Sequence, residues 1–271
     1  MENIVPGILV LIVIGGFFFL IGYVIFQVVR YRYWYSVKNI DPKSKNTLER
    51  YFLYYRNLPK SLKKKFENRT ILFIRSKDWF GQDGLEITPE MKILVAATAV
   101  QITFGFKFYQ LPRFSKIFIY PKAYFNEQTK NYHKGEVHPM GRIIKLSWDN
   151  FLKGFGNPED GINLGLHEMT HAMSLENRFT SNGVSGFIAP YAHKVWLKEA
   201  ALEINTIKST SNSIFRKYAA TNMEEFLAVS VEVFFEQTQQ FQAYNPELYK
   251  ATCNLLGQDP LPRKLVKPHK I

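Results

Sequence analysis

An almost unbroken run of apolar residues opens this chain. It covers residues 4–29, where Gln27 is the one clearly polar side chain, and Glu2 is the one charged residue before it. At 26 residues the run is longer than the roughly 20 that a helix needs to cross a bilayer. It lacks the basic n-region and the small-residue cleavage site of a signal peptide. We therefore expect residues 1–30 to form a transmembrane helix that is retained.

Basic and aromatic residues follow this run directly. Arg30 and Arg32 alternate with tyrosines, Trp34 lies in the same segment, and Lys38 follows. Arginine and lysine beside a membrane span stay on the cytoplasmic side, and tyrosine and tryptophan favour the interface. The expected location is therefore the membrane, with a single span and the main domain in the cytoplasm. The sole cysteine, Cys253, fits that reducing compartment.

Farther along the chain, the spacing of apolar residues becomes that of amphipathic helices. Apolar residues at three- and four-residue intervals predict a helix from Lys45 to about Phe66, broken at Pro59. Thr88 followed by Pro89 predicts the start of another helix. Threonine caps helix N-termini, and proline suits the first helical position.

The remaining pattern predicts a small sheet and further helices. β-Branched and aromatic residues indicate strands over 116–121 and 142–148, and helical spacing returns over 191–210 and 222–240. These elements predict an α+β fold, mostly helical with a small sheet, preceded by one N-terminal transmembrane helix. The expected limits are 1–30 for the membrane anchor, 31–46 for a juxtamembrane linker, 47–260 for the folded domain and 261–271 for an unstructured basic tail.

The charge of the chain indicates an acidic surface as a partner. The net charge is +12, and every lysine and arginine lies at or beyond Arg30. A basic domain beside a membrane is expected to be attracted to anionic lipid. The residues best suited to that contact are Lys60, Lys63, Lys64 and Lys65. Nucleic-acid binding is disfavoured, because the sequence has no recognised nucleic-acid-binding motif to accompany the charge.

A His-Glu-x-x-His motif after the second predicted strand carries the candidate chemistry. His167 and His171 are four residues apart, so on a helix both imidazoles project from one face toward a single ion. Glu168 then points past the metal toward a water molecule whose proton it can accept. Apolar neighbours such as Leu166 and Ala172 favour a helix seated in a core. The motif is typical of zinc peptidases. The alternative interpretation is an ordinary amphipathic helix with two surface histidines.

The two histidines leave a zinc site incomplete, because a catalytic zinc usually has three protein ligands and one open position. The third ligand has to come from farther along the chain. The candidates are Glu199, Glu203, Glu224, Glu225, Glu232, Glu236 and His193. Spacing does not choose among them, although Glu225 lies at the edge of an apolar helix face and can point inward. The histidines expected at the surface are His133, His138 and His269.

Several segments together resemble the Mlc titration factor A family of zinc metallopeptidases, also described as glucose-regulated metallopeptidases. The resemblance covers nearly all of the chain from about residue 50 to about residue 260, and it is more specific than the His-Glu-x-x-His motif alone. The segments that carry it are residues 85–88, 119–121, 146–148, 166–171, 182–184, 218–236 and 244–249.

The resemblance implies a fold, a cofactor and a set of site residues. The fold would be zincin-like and related to the metalloprotease core of anthrax lethal factor. Zinc would be held by His167, His171 and Glu225, with Glu168 as the general base. The tyrosine of the family corresponds to Tyr218, whose phenol would donate a hydrogen bond to the oxyanion during catalysis. A packed aromatic at the start of a helix is the alternative role for this tyrosine.

Two features depart from the family pattern. This chain begins with a long apolar run, whereas the family member known for regulating glucose uptake is soluble and binds a transcriptional repressor. In addition, residues 173–177 lack the Leu-Asp pair expected shortly after the second histidine. We therefore do not predict a repressor as a partner of this chain.

Taken together, the sequence predicts a membrane-anchored, zinc-dependent peptidase that acts on a peptide or protein substrate. A metal-activated water would attack the peptide bond while a glutamate accepts its proton. The strand over 142–148 is expected to hold substrate by backbone pairing. The alternative hypothesis is a catalytically weak regulatory module that binds or sequesters a protein partner at the membrane.

Overall fold

A computed structural model describes most of the chain, and its contacts divide into two compact units. The units meet in sequence between residues 39 and 40. The first contains a single helix, α1 (Ile4–Tyr35). The described ranges are 4–35, 40–157, 159–180, 187–210 and 212–261. The predicted unstructured tail, beyond residue 261, lies outside the described residues, and the predicted domain limits stay a prediction.

The transmembrane prediction is contradicted. Within the part of the chain that the structure describes, no helix combines the length and apolar character needed to cross a membrane. The sequence-based expectation counted the whole apolar run over 4–29 as one span. The correction applies also to the predicted single-pass membrane location and to the cytoplasmic orientation deduced from it.

The second unit is mostly helical. Its helices are α2 (Pro42–Tyr51), α3 (Leu53–Asn57), α4 (Lys60–Arg75), α5 (Pro89–Thr103), α6 (Trp148–Gly156), α7 (Leu164–Thr180), α8 (Pro190–Ser209), α9 (Met223–Glu236), α10 (Thr238–Tyr244) and α11 (Pro246–Leu256), with a 3₁₀ turn at Lys217–Ala220. Thr88 caps α5 as predicted, because its hydroxyl accepts a hydrogen bond from the backbone N–H of Met91 at 3.2 Å. The break predicted at Pro59 is confirmed, because Leu58 is extended and α4 begins at Lys60. A second break, at the extended residue Phe52, was not predicted, so this segment forms three helices.

Four strands form the main sheet, in the order β1 (Asp78–Gly81), β2 (Lys116–Tyr120), β6 (Ile143–Ser147) and β5 (Gly135–His138). The pairs β1–β2 and β2–β6 are parallel, and β5–β6 is antiparallel. β3 (Tyr124–Asn126) and β4 (Asn131–His133) form a separate hairpin. The predicted strands at 116–121 and 142–148 are confirmed, but the second cannot pair with a substrate. It is β6 and lies between β2 and β5, so its backbone hydrogen bonds are already used.

Helix α5 forms the centre of the core. It is apolar on all sides, and every residue from Ile93 to Thr103 is buried. A helix of this kind is stable only when other elements cover it, and α2, α4 and α7 pack against it. Leu166 and Ala172 of α7 are buried in the resulting core, as their spacing predicts. The opposite face of α7 carries the histidine motif.

The start of α7 is tied to α9. Asn163 caps α7, since its side-chain oxygen accepts a hydrogen bond from the backbone N–H of Leu166 at 3.0 Å. Its own backbone N–H donates to Glu232 of α9 at 2.6 Å, and its side-chain amide donates to Glu236 at 2.8 Å. Fixing the first turn of α7 in this way also fixes the position of His167, which follows four residues later.

Candidate metal centre

Helix α7 brings the two motif histidines together. His167 and His171 are one helical turn apart and present their Nε2 atoms to each other at 3.1 Å. Their rings lie edge to face, with centroids 4.7 Å apart. Both side chains are largely buried but remain partly open to solvent. Two ring nitrogens at this distance converge on one small space, as the helical spacing of the motif predicts.

A carboxylate from α9 completes the cluster. Asn222 caps α9 by accepting hydrogen bonds from the backbone N–H groups of Glu224 and Glu225, which fixes Glu225 in the first turn. Oε2 of Glu225 lies 3.1 Å from Nε2 of His167, and Oε1 lies 3.6 Å from Nε2 of His171. The three potential ligand atoms all lie within 4.8 Å of one another.

These distances fit a divalent metal ion. A tetrahedral zinc with ligands at 2.0–2.1 Å separates neighbouring ligand atoms by about 3.3–3.4 Å, close to the 3.1, 3.1 and 3.6 Å observed here. Oε2 of Glu225 is buried and makes no hydrogen bond of acceptable geometry within the described residues. A buried carboxylate oxygen without such a bond is unfavourable unless a cation balances it. Two imidazoles and one carboxylate are therefore compatible with a bound metal ion.

The residues of the cluster change one another's pKa values. Burial opposes the charged form of His167, but the nearby carboxylates of Glu225 and Glu232 outweigh this effect and raise its pKa to about 9. Contacts with His167 and His171 hold the pKa of Glu225 well below its usual range. The protein thus keeps a carboxylate charged beside two imidazoles, as a cation site requires.

Glu168 lies beside this cluster and is buried. Burial raises its pKa to about 7, while the charges of His167 and His171 act in the opposite direction. A carboxyl group with a pKa near neutrality can accept and return a proton at physiological pH. β5 covers it closely at Gly135, where an added β-carbon would lie 2.6 Å from Cγ of Glu168.

Tyr218 lies at the mouth of the cluster, in the 3₁₀ turn before α9. Its ring centroid is 6.3 Å from that of His167, and 51% of the residue is exposed. Burial of the hydroxyl and the neighbouring Glu225 carboxylate raise the pKa of the phenol to about 12. The phenol is therefore protonated at neutral pH and able to donate a hydrogen bond.

The other candidate ligands lie elsewhere in the described structure. Glu203 is buried among donors on other elements, and Glu224 is exposed and pairs with Arg178. Glu199 is beside Lys198, Glu236 accepts from Asn163, and His193 is exposed on α8. Of the remaining histidines, His133 contacts Thr129, His138 accepts from the backbone of Gly141, and His269 lies outside the described residues.

Two features of the site were missed at the level of sequence. The first is the contact of Glu232 with His167. Its Oε1 atom lies 2.8 Å from Nδ1, the ring nitrogen of His167 that does not face the cluster. β5 and its Gly135 were not predicted, because four residues give too short a pattern. A glycine within a short strand signals close approach of another group, and this was the one clue available.

Comparison with known proteins places these residues within a longer match. A sequence profile described as glucose-regulated metallo-peptidase M90 matches residues 26–255, which include the whole cluster. The uncharacterized protein slr2042 of Synechocystis sp. is 25% identical over 223 residues, 77% of this chain and 81% of its own length. Mlc titration factor A of Klebsiella pneumoniae is 26% identical over 211 residues, 71% of this chain and 77% of that protein. Mlc titration factor A of Yersinia pestis is 27% identical over 210 residues, 70% and 75% of the two chains.

Proposed function

This chain belongs to the glucose-regulated metallo-peptidase M90 family, and from that premise we propose that it is a zinc-dependent peptidase. The observation that carries the proposal is the position of Glu168, a buried carboxyl group with a pKa near 7, beside the cluster of His167, His171 and Glu225. A metal site that only stabilises the fold does not need a titratable carboxyl group such as Glu168 beside its ligands.

The ligands in this proposal are His167, His171 and Glu225, through Nε2, Nε2 and the carboxylate. Zinc is the cofactor that we propose, because two imidazoles, one carboxylate and an open position are typical of catalytic zinc. When bound, zinc would supply a Lewis acid that polarises a carbonyl oxygen and increases the acidity of a water molecule.

Glu168 is proposed as the general base. Its carboxylate accepts a proton from the attacking water and later returns it to the amine of the cleaved bond. The raised pKa suits both steps, since the carboxylate of a stronger acid would be too weak a base to take the proton from water. Gly135 covers the carboxyl group and excludes bulk water from one side.

Tyr218 is proposed to stabilise the developing charge on the carbonyl oxygen. Its phenol stays protonated at neutral pH and lies beside His167. A donor that meets the oxyanion in the transition state lowers the barrier by a few kcal/mol, roughly 100- to 1000-fold in rate.

We propose that the substrate backbone pairs with β5. In the described sheet this strand pairs with β6 on one side and forms the edge on the other. Its first residue, Gly135, lies against Glu168, so a peptide along this edge would pass the proposed base. Pairing of this kind reads the backbone of the substrate and leaves side-chain preference to pockets nearby.

The first test is the metal content of the full-length protein, measured by mass spectrometry for the wild type and two variants. Glu225→Ala should lose or greatly weaken zinc binding. Glu224→Ala, the matched control one residue earlier at an exposed position, should retain about one zinc per chain. Absence of zinc from the wild type after addition of excess metal, or its retention in Glu225→Ala, would contradict the proposed site.

The second test is hydrolysis of a peptide library by zinc-loaded protein. Glu168→Gln should lower the rate by roughly 100- to 10,000-fold, because the amide cannot accept a proton. Tyr218→Phe should lower it less and leave zinc content unchanged. If Glu168→Gln hydrolyses peptides as fast as the wild type at equal zinc content, the proposed role of this residue is wrong.

A second candidate function is a regulatory module that binds or sequesters a protein. The observation that favours it is the similarity to two relatives named Mlc titration factor A. For this chain the corresponding partner would be a regulatory protein. The Glu168→Gln variant separates the two functions. If the protein is a binding module, the variant still captures its partner and restores the wild-type phenotype in a deletion strain. If the protein is a peptidase, the variant does not restore that phenotype.

A further inference from the structure

We propose that Glu232 is a positioning residue that fixes the orientation and tautomer of His167 for metal binding, with Arg216 holding Glu232 in place. The inference rests on the proposed zinc site and adds two residues to it. Neither residue belongs to the cluster that would contact the metal, and both act through His167.

Glu232 is surrounded by hydrogen-bond partners. Its Oε1 atom lies 2.8 Å from Nδ1 of His167 and accepts a hydrogen bond from Nη2 of Arg216 at 2.6 Å. Its Oε2 atom accepts from the backbone N–H of Asn163 at 2.6 Å and from Nη1 of Arg216 at 3.2 Å. The side chain is only 1% exposed. Buried and surrounded by donors, including a guanidinium on both oxygens, this carboxyl group acts as a hydrogen-bond acceptor.

The contact with Glu232 also determines the tautomer of His167. A carboxylate can only accept a hydrogen bond, so Nδ1 of His167 must carry the proton in this contact. In the neutral ring Nε2 then has the free lone pair, and Nε2 is the atom that lies 3.1 Å from both His171 and Glu225. Glu232 therefore directs the metal-binding nitrogen of His167 toward the cluster.

Helix α9 holds the ring of His167 from two sides. Glu225 and Glu232 are seven residues apart on α9, two helical turns or about 10 Å along its axis. The first faces Nε2 of His167 and the second faces Nδ1. With both nitrogens engaged by one rigid helix, the ring cannot rotate without losing a contact on each side.

Arg216 links Glu232 to the segment before α7. Besides its two bonds to Glu232, its Nη1 atom donates to the backbone carbonyl of Gly161 at 2.9 Å. Gly161 lies two residues before Asn163, which caps α7. The guanidinium of Arg216 therefore fixes the position of Glu232 relative to the start of α7.

The experiment measures zinc affinity by competition with a chelator, using full-length protein stripped of metal. Glu232→Gln keeps the size of the side chain and removes its charge, and its dissociation constant should be 10- to 100-fold weaker than that of the wild type. Arg216→Lys should weaken zinc binding by a smaller factor, because one ammonium cannot make both guanidinium contacts. Absorption spectra of the cobalt-substituted proteins should change in Glu232→Gln, since the orientation of the His167 ring changes.

Glu236→Gln is the matched control. Glu236 lies one turn beyond Glu232 on α9 and contacts the side chain of Asn163, not His167. Glutamine keeps the side-chain oxygen that accepts from Asn163, so the zinc affinity and the cobalt spectrum of this variant should equal those of the wild type. This comparison separates an effect on the metal ligand from a general effect on the packing of α7 against α9.

The possible results are distinguishable. If Glu232→Gln lowers the melting temperature but binds zinc as tightly as the wild type, Glu232 is a structural residue and the inference is overturned. If Glu232→Gln does not fold, the zinc affinity of Arg216→Lys provides the test. Weaker binding by Arg216→Lys supports the inference, and unchanged binding overturns it. If the wild type binds no zinc, the proposed function fails, and the inference fails with it.

Discussion

Gly135 lies directly against the side chain of Glu168. A β-carbon at position 135 would be 2.6 Å from Cγ and 2.7 Å from Cδ and Oε1 of Glu168. Carbon atoms in proteins do not approach one another so closely, because the optimum is about 3.5–4.0 Å. The absence of a side chain at Gly135 therefore lets β5 approach α7 at the position of the proposed general base.

Gly135→Ala should reduce peptide hydrolysis by at least tenfold while zinc content stays at the wild-type value. The new methyl group displaces the Glu168 carboxyl group from the attacking water, and a displacement of about 1 Å costs up to roughly 100-fold in rate. Activity and metal content are measured on the same sample. Gly156→Ala is the control, because an added β-carbon there would meet nothing within 4 Å. Full activity in Gly135→Ala would contradict the proposed role of the contact.

Zinc affinity should increase with pH up to about pH 9. In the metal-free protein the pKa of His167 is raised to about 9, so at pH 7 zinc must displace a proton from this ring. This group alone then increases the apparent association constant about tenfold per pH unit below pH 9, and the dependence disappears above it. Calorimetry at pH 7 in two buffers of different ionisation enthalpy should detect about one released proton. Identical apparent affinity at pH 7 and pH 9 would exclude this linkage.

Glu236→Gln should stabilise the protein at alkaline pH. Burial raises the pKa of Glu236 to about 8, and its Oε2 atom has no hydrogen-bond partner within the described residues. An unfolded glutamate has a pKa near 4.3. Between these values the folded protein keeps a proton that the unfolded chain releases, so the free energy of unfolding decreases as pH rises from about 4.3 to about 8.

Glutamine does not titrate, so the variant does not lose unfolding free energy in this way as the pH rises. Glu236→Gln should therefore exceed the wild type in unfolding free energy by on the order of 2 kcal/mol at pH 8.5, allowing for partial solvent screening. The difference should shrink toward pH 4.5. Melting temperatures recorded across this range provide the measurement, with Glu86→Gln, at an exposed position, as the control. A difference independent of pH would show that Glu236 is ionised in the folded protein.

Gly165→Ala should destabilise the fold, although alanine is the better helix former. Helix propensity alone favours alanine by up to about 1 kcal/mol. Here the added β-carbon would lie 2.6 Å from Cε2 of Phe151 and 3.2 Å from Cγ2 of Thr98. Phe151 is completely buried, so it cannot move aside easily. Overpacking of this kind costs roughly 1–3 kcal/mol, and we expect the steric effect to exceed the propensity.

Urea denaturation tests this expectation with a double-mutant cycle. Phe151→Leu makes room for the new methyl group, so Gly165→Ala should cost less in that background than in the wild type. An equal cost in both backgrounds would show that the contact between the two residues is not the cause.

The sequence predicted those features that depend on a repeated or local pattern. The start of α5 at Thr88 and Pro89 was predicted, because capping involves only a few consecutive residues. The spacing of His167 and His171 gave the helix and its functional face. The same pattern failed for α2–α4, where Phe52 adopts an extended conformation between two helices while the apolar spacing continues. Periodicity cannot detect a break one residue long when both flanking helices pack on the same core.

The choice of the third candidate ligand depended on tertiary structure. Glu225 and Glu232 both face α7, because seven residues are almost two full turns. The sequence does not tell which carboxylate approaches Nε2 of His167 and which approaches Nδ1, since this depends on the offset between α7 and α9. Asn163 and Arg216 set that offset through contacts with Glu232, and these contacts join positions up to 69 residues apart.

The contacts around His167 have a consequence for metal supply. Glu232 fixes one nitrogen of the ring, and Asn222 fixes the backbone of Glu225, so the pocket is formed by folding itself. A pocket that exists before metal arrives binds divalent ions in the Irving–Williams order, in which copper(II) exceeds zinc. For the proposed zinc enzyme, correct metal loading then depends on the free copper and zinc concentrations in the compartment where the chain folds, and binding of copper in place of zinc is the expected failure wherever copper is not tightly buffered.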